Sequence, residues 1–180
     1  IACNSASAAA YELAAAYTAS RAKVMNVIDP VVEYVAAQYP EKTIGLIGTR
    51  ATVKAGTYRK KINALERGIK LKSMATPLLA SMIEEGFFNN SVSQVVIDKY
   101  LSNSKLNGIE ALILACTHYP LIQKEITQFY QKKVEIIDGS HIVAKSLKAY
   151  LDAHQMGNTQ SEESQMKFYV SDYTASFEAS

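Results

Sequence analysis

The stretch 111-ALILACTHYP-120 decides the fold class of this chain. Its first half is a continuous apolar run, which is typical of a strand buried on both faces of a parallel sheet. The run stops at Cys116, Thr117 and His118, and Pro120 fits the first turn of a following helix. In open α/β sheets ligands bind outside the carboxyl ends of the strands. We therefore expect these three side chains to lie where chemistry is done.

The other cysteine lies in the same local pattern. Residues 1–7, IACNSAS, place apolar residues before Cys3 and small polar residues after it, and an alanine-rich helix follows. Laid over 114-LACTH-118, both segments read apolar, Ala, Cys, polar, polar. A helix N-terminus lowers a thiol pKa from its reference near ~8.5, so we expect an accessible thiolate at neutral pH. Two such thiols on opposite sides of a substrate carbon could remove a proton from one face and return one to the other.

Composition excludes several classes of function. The chain has 180 residues, 48% of them hydrophobic and 20% charged, which is ordinary for a soluble globular protein. The net charge of +2 and the lack of a Lys/Arg block argue against a nucleic-acid partner. No apolar stretch reaches membrane-spanning length, and the first residues of the sequence lack the charged start and apolar middle that are typical of a signal peptide. Two cysteines without a framework suit a cytoplasmic protein. Because the chain opens as if at the end of a strand, we expect an N-terminal segment to be missing.

Strands and helices alternate along the sequence, which predicts parallel sheets in an α/β fold. A polar loop is predicted over 156–164, and a helix start after residue 172. The predicted strands cover 23–28, 43–48, 69–74, 111–115, 134–137 and 167–171. The predicted helices cover 6–20, 31–38, one continuous stretch from the 49–52 turn to near Gly68, 77–86, 91–101, the residues after Pro120, and 141–154.

Hydroxyl residues flank two of the predicted helix starts. Ser5 and Ser7 are candidate N-caps of the first helix. Thr49 is a candidate N-cap with Thr52 near the third helical position. The same threonine hydroxyls, with nearby backbone N–H groups, could also bind a substrate carboxylate, and both roles are compatible.

His118 follows Cys116 closely enough to position or titrate that thiol. Glu84 and Glu85 are adjacent, so they point to different sides of their helix. One of them could orient His118 or meet an ammonium group, although the sequence by itself favours a solvated helix end.

Other chemistries find less support in the sequence. Cys3, Cys116 and His118 could bind zinc, but no close pair of ligands starts such a site. A disulfide between the cysteines is disfavoured in a reducing compartment. Residues around Gly48 lack the spacing of a phosphate-binding loop, and no lysine has the context of a Schiff-base cofactor.

With these motifs in place, the sequence resembles the glutamate racemases, within the wider aspartate/glutamate racemase superfamily. The resemblance rests on 2-ACNSAS-7, on Gly48-Thr49 with Thr52, on 115-ACTHYPL-121 and on the closing 168-FYV-170, and it covers essentially the whole chain. It implies two parallel-sheet α/β domains. Residues 1–27 and 143–180 would be the remnant of an incomplete first domain, and residues 28–142 the second domain.

The resemblance also implies an activity. Such a protein interconverts L- and D-glutamate without cofactor or metal and supplies D-glutamate for peptidoglycan, hence for the cell wall and cell shape. Its partner is a small molecule, glutamate, and a homodimer is expected because the family often forms dimers. By resemblance Cys3 and Cys116 are the acid/base pair, and His118 assists Cys116. The implied substrate contacts are Asn4, Ser5, Thr49, Thr52, Thr117 and His118, and Glu84 aligns with a family glutamate that partners the histidine.

The sequence departs from the family pattern before the first cysteine. In the family, the aspartate of an Asp-Ser-Gly-type loop assists the first cysteine, and this loop and a Tyr-Gly loop bind substrate. Neither loop is found here. Ser5 stands where threonine is more usual. We therefore expect the full-length parent to be a glutamate racemase and this chain to be inactive or nearly so.

Three rival functions remain open at this point. One is racemisation of aspartate or a related acid, because the threonines do not set side-chain length. Another is a single-cysteine decarboxylase of the superfamily, which the second cysteine disfavours. The third is a non-catalytic domain that binds a small acid.

Overall fold

Four parallel strands form the sheet around which the described part of the chain folds. The computed structural model describes residues 1–19, 21–157, 167, 169 and 170. The strands are β1 (Thr43–Gly48), β2 (Lys70–Ala75), β3 (Ala111–Ala115) and β4 (Glu135–Asp138). Their order is β2-β1-β3-β4, and every neighbouring pair is parallel. The predicted α/β fold with a parallel sheet is confirmed.

Helices connect the strands and precede and follow the sheet in sequence. Two short 3-10 segments, Ser104–Leu106 and Tyr119–Ile122, add to them. None of the described helices is both long and apolar enough to cross a membrane. The α-helices are α1 (Asn4–Thr18), α2 (Asp29–Gln38), α3 (Arg50–Ala55), α4 (Thr57–Ala64), α5 (Pro77–Glu84), α6 (Ser91–Leu101), α7 (Gln123–Phe129) and α8 (Gly139–Ala153).

Apolar side chains leave the sheet on both faces, as strand geometry requires. In β1, Ile44 and Leu46 join a core with α2 and α4, whereas Ile47 joins a second core with α5, α6 and α7. In β3, Ile113 faces the first core and Leu112 the second. Every residue of β3 is buried, which is the pattern of a central parallel strand. The sheet is therefore covered on both sides, and its carboxyl edge is left for a site.

The strand order places a topological switch between β1 and β3. From β1 the chain goes to β2 on one side, and later to β3 on the other. Gly48 of β1 pairs with Ala75 of β2 and with Ala115 of β3, so the three strands end side by side. The residues that follow them therefore lie at the same edge of the sheet. A Cβ atom on Gly48 would lie 3.1 Å from the carbonyl oxygen of Ala115, so glycine permits the close approach of β1 and β3. Crevices at such switch points are where doubly wound folds bind ligands.

Three local predictions are wrong. Residues 23–28 form no strand, because within the described residues no neighbouring strand pairs with them. The single helix predicted up to Gly68 is two helices, since Gly56 takes a left-handed backbone with φ 66° between α3 and α4. The N-cap of α1 is Cys3, so Ser5 and Ser7 lie inside the helix rather than capping it.

Other boundaries agree closely with the sequence. The strand over 43–48 and the helix over 91–101 are found as predicted. The helix expected after Pro120 starts as the 3-10 turn Tyr119–Ile122 before α7. The strand predicted over 167–171 and the helix start after 172 lie largely or wholly outside the described residues. The domain boundaries at 27/28 and 142/143 stay predictions.

Candidate active site

A thiol, an imidazole and a carboxylate are connected at the end of β3. Sγ of Cys116 lies 3.6 Å from Nδ1 of His118, and Nε2 of the same ring lies 3.1 Å from Oε1 of Glu84. A carboxylate accepts, so Glu84 favours the tautomer with the proton on Nε2. The lone pair of Nδ1 then faces the thiol. The imidazole is therefore placed to receive the thiol proton of Cys116.

Burial governs the acidity of Cys116. Its side chain is only 7% exposed, and burial raises the pKa of this thiol above its ordinary value. Nearby Cys3 and Glu84 raise it further, while backbone N–H groups of His118 and Tyr119 act in the opposite direction. The lowered pKa expected from a helix N-terminus is wrong for Cys116. Only a short 3-10 turn follows this cysteine, and its amides do not outweigh desolvation.

Cys3 lies in a different environment. It is exposed, it occupies the N-cap position of α1, and its side chain makes no capping hydrogen bond. Both cysteines are free thiols, so the disulfide weighed above is not formed. Cys3 is close enough to Cys116 for its charge to raise the pKa of the buried thiol. The two cysteine blocks of the sequence thus meet at one edge of the sheet.

Three hydroxyl groups form a cluster between α1 and the β1–α3 turn. Oγ of Ser5 lies 2.7 Å from Oγ1 of Thr49 and 3.1 Å from Oγ1 of Thr52. The two threonine oxygens are 3.1 Å apart. Thr49 is the N-cap of α3 and accepts from the backbone N–H of Thr52 at 3.2 Å, as predicted. Hydroxyls that bond to one another can also turn to donate to an anion, so capping does not preclude a role in anion binding.

Asn4 is anchored from the side of α4. The Tyr58 hydroxyl donates to Oδ1 of Asn4 at 2.7 Å, and both residues are buried. Burial raises the pKa of Tyr58, so this hydroxyl stays protonated and remains a donor. The sequence pattern contained no signal for this contact, because the partners are 54 residues apart.

Two buried hydroxyl groups, those of Thr76 and Tyr119, contact each other next to the site. The hydroxyl oxygens of Thr76 and Tyr119 are 2.7 Å apart, and both side chains are fully buried. Thr76 also donates to the carbonyl oxygen of Gly48 at 3.3 Å. These bonds link the residues at the ends of β1, β2 and β3. Neither role could be predicted from the sequence, since nothing local distinguishes a threonine or tyrosine that bonds to a distant partner.

A cavity of ≈ 220 Å³ opens beside the cysteine of β3. Asn4, Cys116 and Thr117 line it together with Tyr58, and Asp138 and the start of α8 also contribute to its lining. Thr117 is exposed to this space. Cys3, the hydroxyl cluster and His118 are not part of this wall, so the predicted site residues fall into adjacent groups. Within the described residues no group of three or more His, Cys, Asp or Glu side chains could bind a metal ion.

Fold and site together define a doubly wound α/β protein with a thiol–imidazole pair at its switch point. Residues 1–147 match the family model described as Asp/Glu/Hydantoin racemase. The chain therefore belongs to the Asp/Glu/hydantoin racemase family, as its cysteine blocks indicated.

Curated relatives are glutamate racemases. The protein of that name from Geobacter metallireducens is 32% identical over 177 residues, which are 98% of this chain and 65% of the relative. The Aquifex aeolicus glutamate racemase is 38% identical over 161 residues, which are 89% of this chain and 61% of the relative. The chain thus spans less than two thirds of the length of these relatives.

A solved structure agrees with the sequence matches. The crystal structure of glutamate racemase from Francisella tularensis in complex with D-glutamate superposes with a TM-score of 0.88 at 33% identity. The match covers 98% of this chain and 65% of the other chain. The arrangement of strands and helices described above is therefore the arrangement found in that racemase.

Proposed function

We propose that this chain carries the catalytic site of a glutamate racemase, which interconverts L- and D-glutamate through two cysteines and no cofactor. The observation that carries the proposal is the pair of contacts made by the His118 ring. Its Nε2 lies 3.1 Å from Oε1 of Glu84, and its Nδ1 lies 3.6 Å from Sγ of Cys116. It places a proton acceptor against a buried thiol that faces a cavity of small-acid size. Membership of the family and the names of its relatives, which are glutamate racemases, support glutamate as the substrate.

The first step removes the α-proton of bound glutamate. His118 Nδ1 accepts the Cys116 proton and leaves a thiolate. The thiolate takes the proton from the α-carbon, the C–H bond breaks, and its electron pair spreads into the α-carboxylate. Because burial raises the pKa of Cys116, this thiolate is a stronger base than an ordinary one once it forms.

The second step returns a proton to the opposite face of the carbon. Cys3, in its thiol form, donates that proton and becomes the thiolate, and the electron pair returns to form the new C–H bond. In the reverse direction Cys3 is the base and Cys116 the acid. After the forward turnover His118 carries an extra proton and Cys3 is a thiolate. The exposed Cys3 regains a proton from solvent and His118 releases one to solvent, so the starting state is restored and no net proton or electron is consumed.

The polar residues around the thiols supply binding. Hydroxyls of Ser5, Thr49 and Thr52 and the amide of Asn4 donate to carboxylate oxygens, and Thr117 contacts the substrate from the cavity wall. Their donors complement an acidic substrate and lower the free energy of the charge that develops on its α-carboxylate. Glu84 acts through His118 as a positioning residue.

The cellular role follows from this chemistry. D-glutamate formed in the cytoplasm would supply peptidoglycan synthesis, and hence the cell wall and cell shape. We also propose that residues 28–142 form one α/β domain, and that residues 1–27 and 143–180 belong to another whose closure over the substrate excludes water.

The experiment is proton NMR of L-glutamate with this chain in deuterated water. Loss of the α-proton signal reports exchange at the carbon, and D-glutamate is measured in the same samples. The chain is used at high concentration so that a slow rate is detected. Exchange that stops in Cys3→Ser and Cys116→Ser supports the proposal. Glutamate binding without exchange in the folded wild type would favour a binding domain instead.

A further inference from the structure

We infer that Tyr58 is a positioning residue that fixes the amide of Asn4 with its N–H donors toward the substrate cavity. The inference deepens the proposed function and, for its consequence on binding, rests on it. Tyr58 lies on α4, far in sequence from both cysteine blocks, and none of the motifs singled it out. Its ring lines the same cavity as Asn4, Cys116 and Thr117.

The geometry fixes which end of the amide Tyr58 contacts. The hydroxyl donates to Oδ1 of Asn4 at 2.7 Å. Asn4 is 8% exposed and Tyr58 4%, so water does not compete for this bond. No described residue accepts a hydrogen bond from Nδ2 of Asn4, and Nδ2 is not among the buried atoms without a partner. The NH₂ group therefore keeps some exposure, and because Asn4 lines the cavity, its donors are available to a ligand there.

The orientation of this amide decides what the cavity recognises. An asparagine side chain offers an acceptor at one end and two donors at the other. With Oδ1 bound to Tyr58, only donors remain for a ligand, and these complement a carboxylate. If the amide turned over, it would present an acceptor to the same ligand and favour an ammonium group instead. Tyr58 thus contributes through Asn4 to selectivity for the acidic end of the substrate.

Buried hydroxyls elsewhere provide a matched control. Tyr130 has a buried hydroxyl that makes no hydrogen bond within the described part of the chain. Tyr130→Phe and Tyr58→Phe each remove one buried hydroxyl and keep the ring. Only Tyr58→Phe removes a hydrogen bond to Asn4. A general effect of losing a buried tyrosine hydroxyl would appear in both variants.

The free protein provides the first test, because it requires no substrate. NMR of the ¹⁵N-labelled chain follows the side-chain amide of Asn4, assigned with Asn4→Asp. In the wild type we expect both Nδ2 protons to exchange with water. In Tyr58→Phe we expect their signals to shift or broaden, and in Tyr130→Phe to stay. An Nδ2 proton protected from exchange in the wild type, or signals unchanged in Tyr58→Phe, would overturn the inference.

Glutamate binding provides the second test. Titration with L-glutamate should shift the Asn4 amide signals of the wild type, and Tyr58→Phe should weaken binding by about tenfold. Asn4→Asp, which presents an anion in place of the donor, should weaken it more, and Tyr130→Phe should not. Equal affinity in Tyr58→Phe and wild type would overturn the inference. If the wild type binds no glutamate, the proposed function is contradicted, and the spectra of the free protein still decide the position of the amide.

Discussion

Sγ of Cys116 lies 3.6 Å from Nδ1 of His118, at the switch point of a four-stranded parallel sheet. The contact is local in sequence, but its consequence depends on the other side of the ring, where Glu84 from a different strand-to-helix unit binds Nε2. In the proposed mechanism the thiol, the ring and the carboxylate act as one proton-transfer unit. Each member can be tested separately.

Glu84 should determine the tautomer of His118. In Glu84→Ala the ring loses the acceptor at Nε2, so the proton distributes between both nitrogens and Nδ1 is less often free to receive the thiol proton. Nitrogen-15 NMR of the imidazole measures the tautomer directly. We expect the α-proton exchange rate to fall by about tenfold as well.

Glu85 supplies the control for that experiment. It is the neighbouring carboxylate, exposed like Glu84, and it has no contact with the ring among the salt bridges of the described residues. Glu85→Ala should leave both the tautomer and the exchange rate unchanged. Equal effects of the two substitutions would contradict the assignment of Glu84.

The pH dependence of Cys116 alkylation should reflect its burial. Because burial raises the pKa of this thiol, the reaction with a small alkylating reagent should reach half its maximal rate above pH ~8.5, the reference value for a free thiol. Cys3→Ser leaves Cys116 as the remaining cysteine, since the chain has two. The same variant unfolded in urea gives the reference curve. A folded-state midpoint at or below that of the unfolded chain would contradict the structural account.

The raised pKa of Cys116 should also make the stability of the fold depend on pH. The folded state retains the Cys116 proton to higher pH than the unfolded state does. As pH rises past the ordinary thiol pKa, the unfolded state loses this proton first, so the free energy of unfolding falls. Cys116→Ser should remove this contribution to the pH dependence, which urea unfolding at neutral and alkaline pH measures.

Thr76 and Tyr119 should be energetically coupled. Tyr119→Phe removes the hydroxyl that bonds to Thr76 at 2.7 Å in a fully buried position, and it should lower the free energy of unfolding by about 1 kcal/mol. In a double-mutant cycle with Thr76→Val, the coupling energy should be at least about 0.5 kcal/mol. Tyr130→Phe is the matched control and should be close to neutral, since that hydroxyl has no partner among the described residues. Additive effects in the cycle would show that the pair does not link the strand ends.

Thr49 should act both as a helix cap and as part of the hydroxyl cluster. Thr49→Ala removes the acceptor for the Thr52 backbone N–H and the contact with Ser5, and should cost about 1 kcal/mol of stability. Thr49→Ser retains the hydroxyl and should cost much less. Chemical unfolding of the two variants measures the difference. A serine variant as unstable as the alanine variant would assign the role of Thr49 to its methyl group.

Local patterns predicted most of the fold. The strand 43–48 is buried and apolar, and the run ending at Cys116 marks a central strand, so both could be identified without their partners. The wrong predictions concern segments whose structure depends on more than their own sequence pattern. Residues 23–28 have strand-like composition, but no strand lies beside them among the described residues. Gly56 reads as a tolerable helix residue until its left-handed backbone separates α3 from α4.

Some residues of the candidate site could be predicted from the sequence and others could not. The two cysteines, Thr117 and His118 could be selected because they lie in two similar sequence blocks, and Thr49 and Thr52 because they flank a helix start after a predicted strand. Tyr58 and Thr76 could not, because their partners are 54 and 43 residues away and their local contexts are ordinary. The pKa of Cys116 was predicted in the wrong direction, since helix position can be read from sequence and depth of burial cannot.

The central claim is that Cys3 and Cys116 move the α-proton of glutamate, and isotope exchange tests it most directly. L-glutamate is incubated with the chain in deuterated water, and its α-proton signal is followed by NMR beside the single and double cysteine-to-serine variants. Little activity is expected of this chain, so it is used at high concentration. The account predicts a slow loss of the signal that is still faster than in the double variant, with either single substitution lowering the rate to that of the double variant. A wild-type rate equal to that of the double variant, in folded protein, would contradict it.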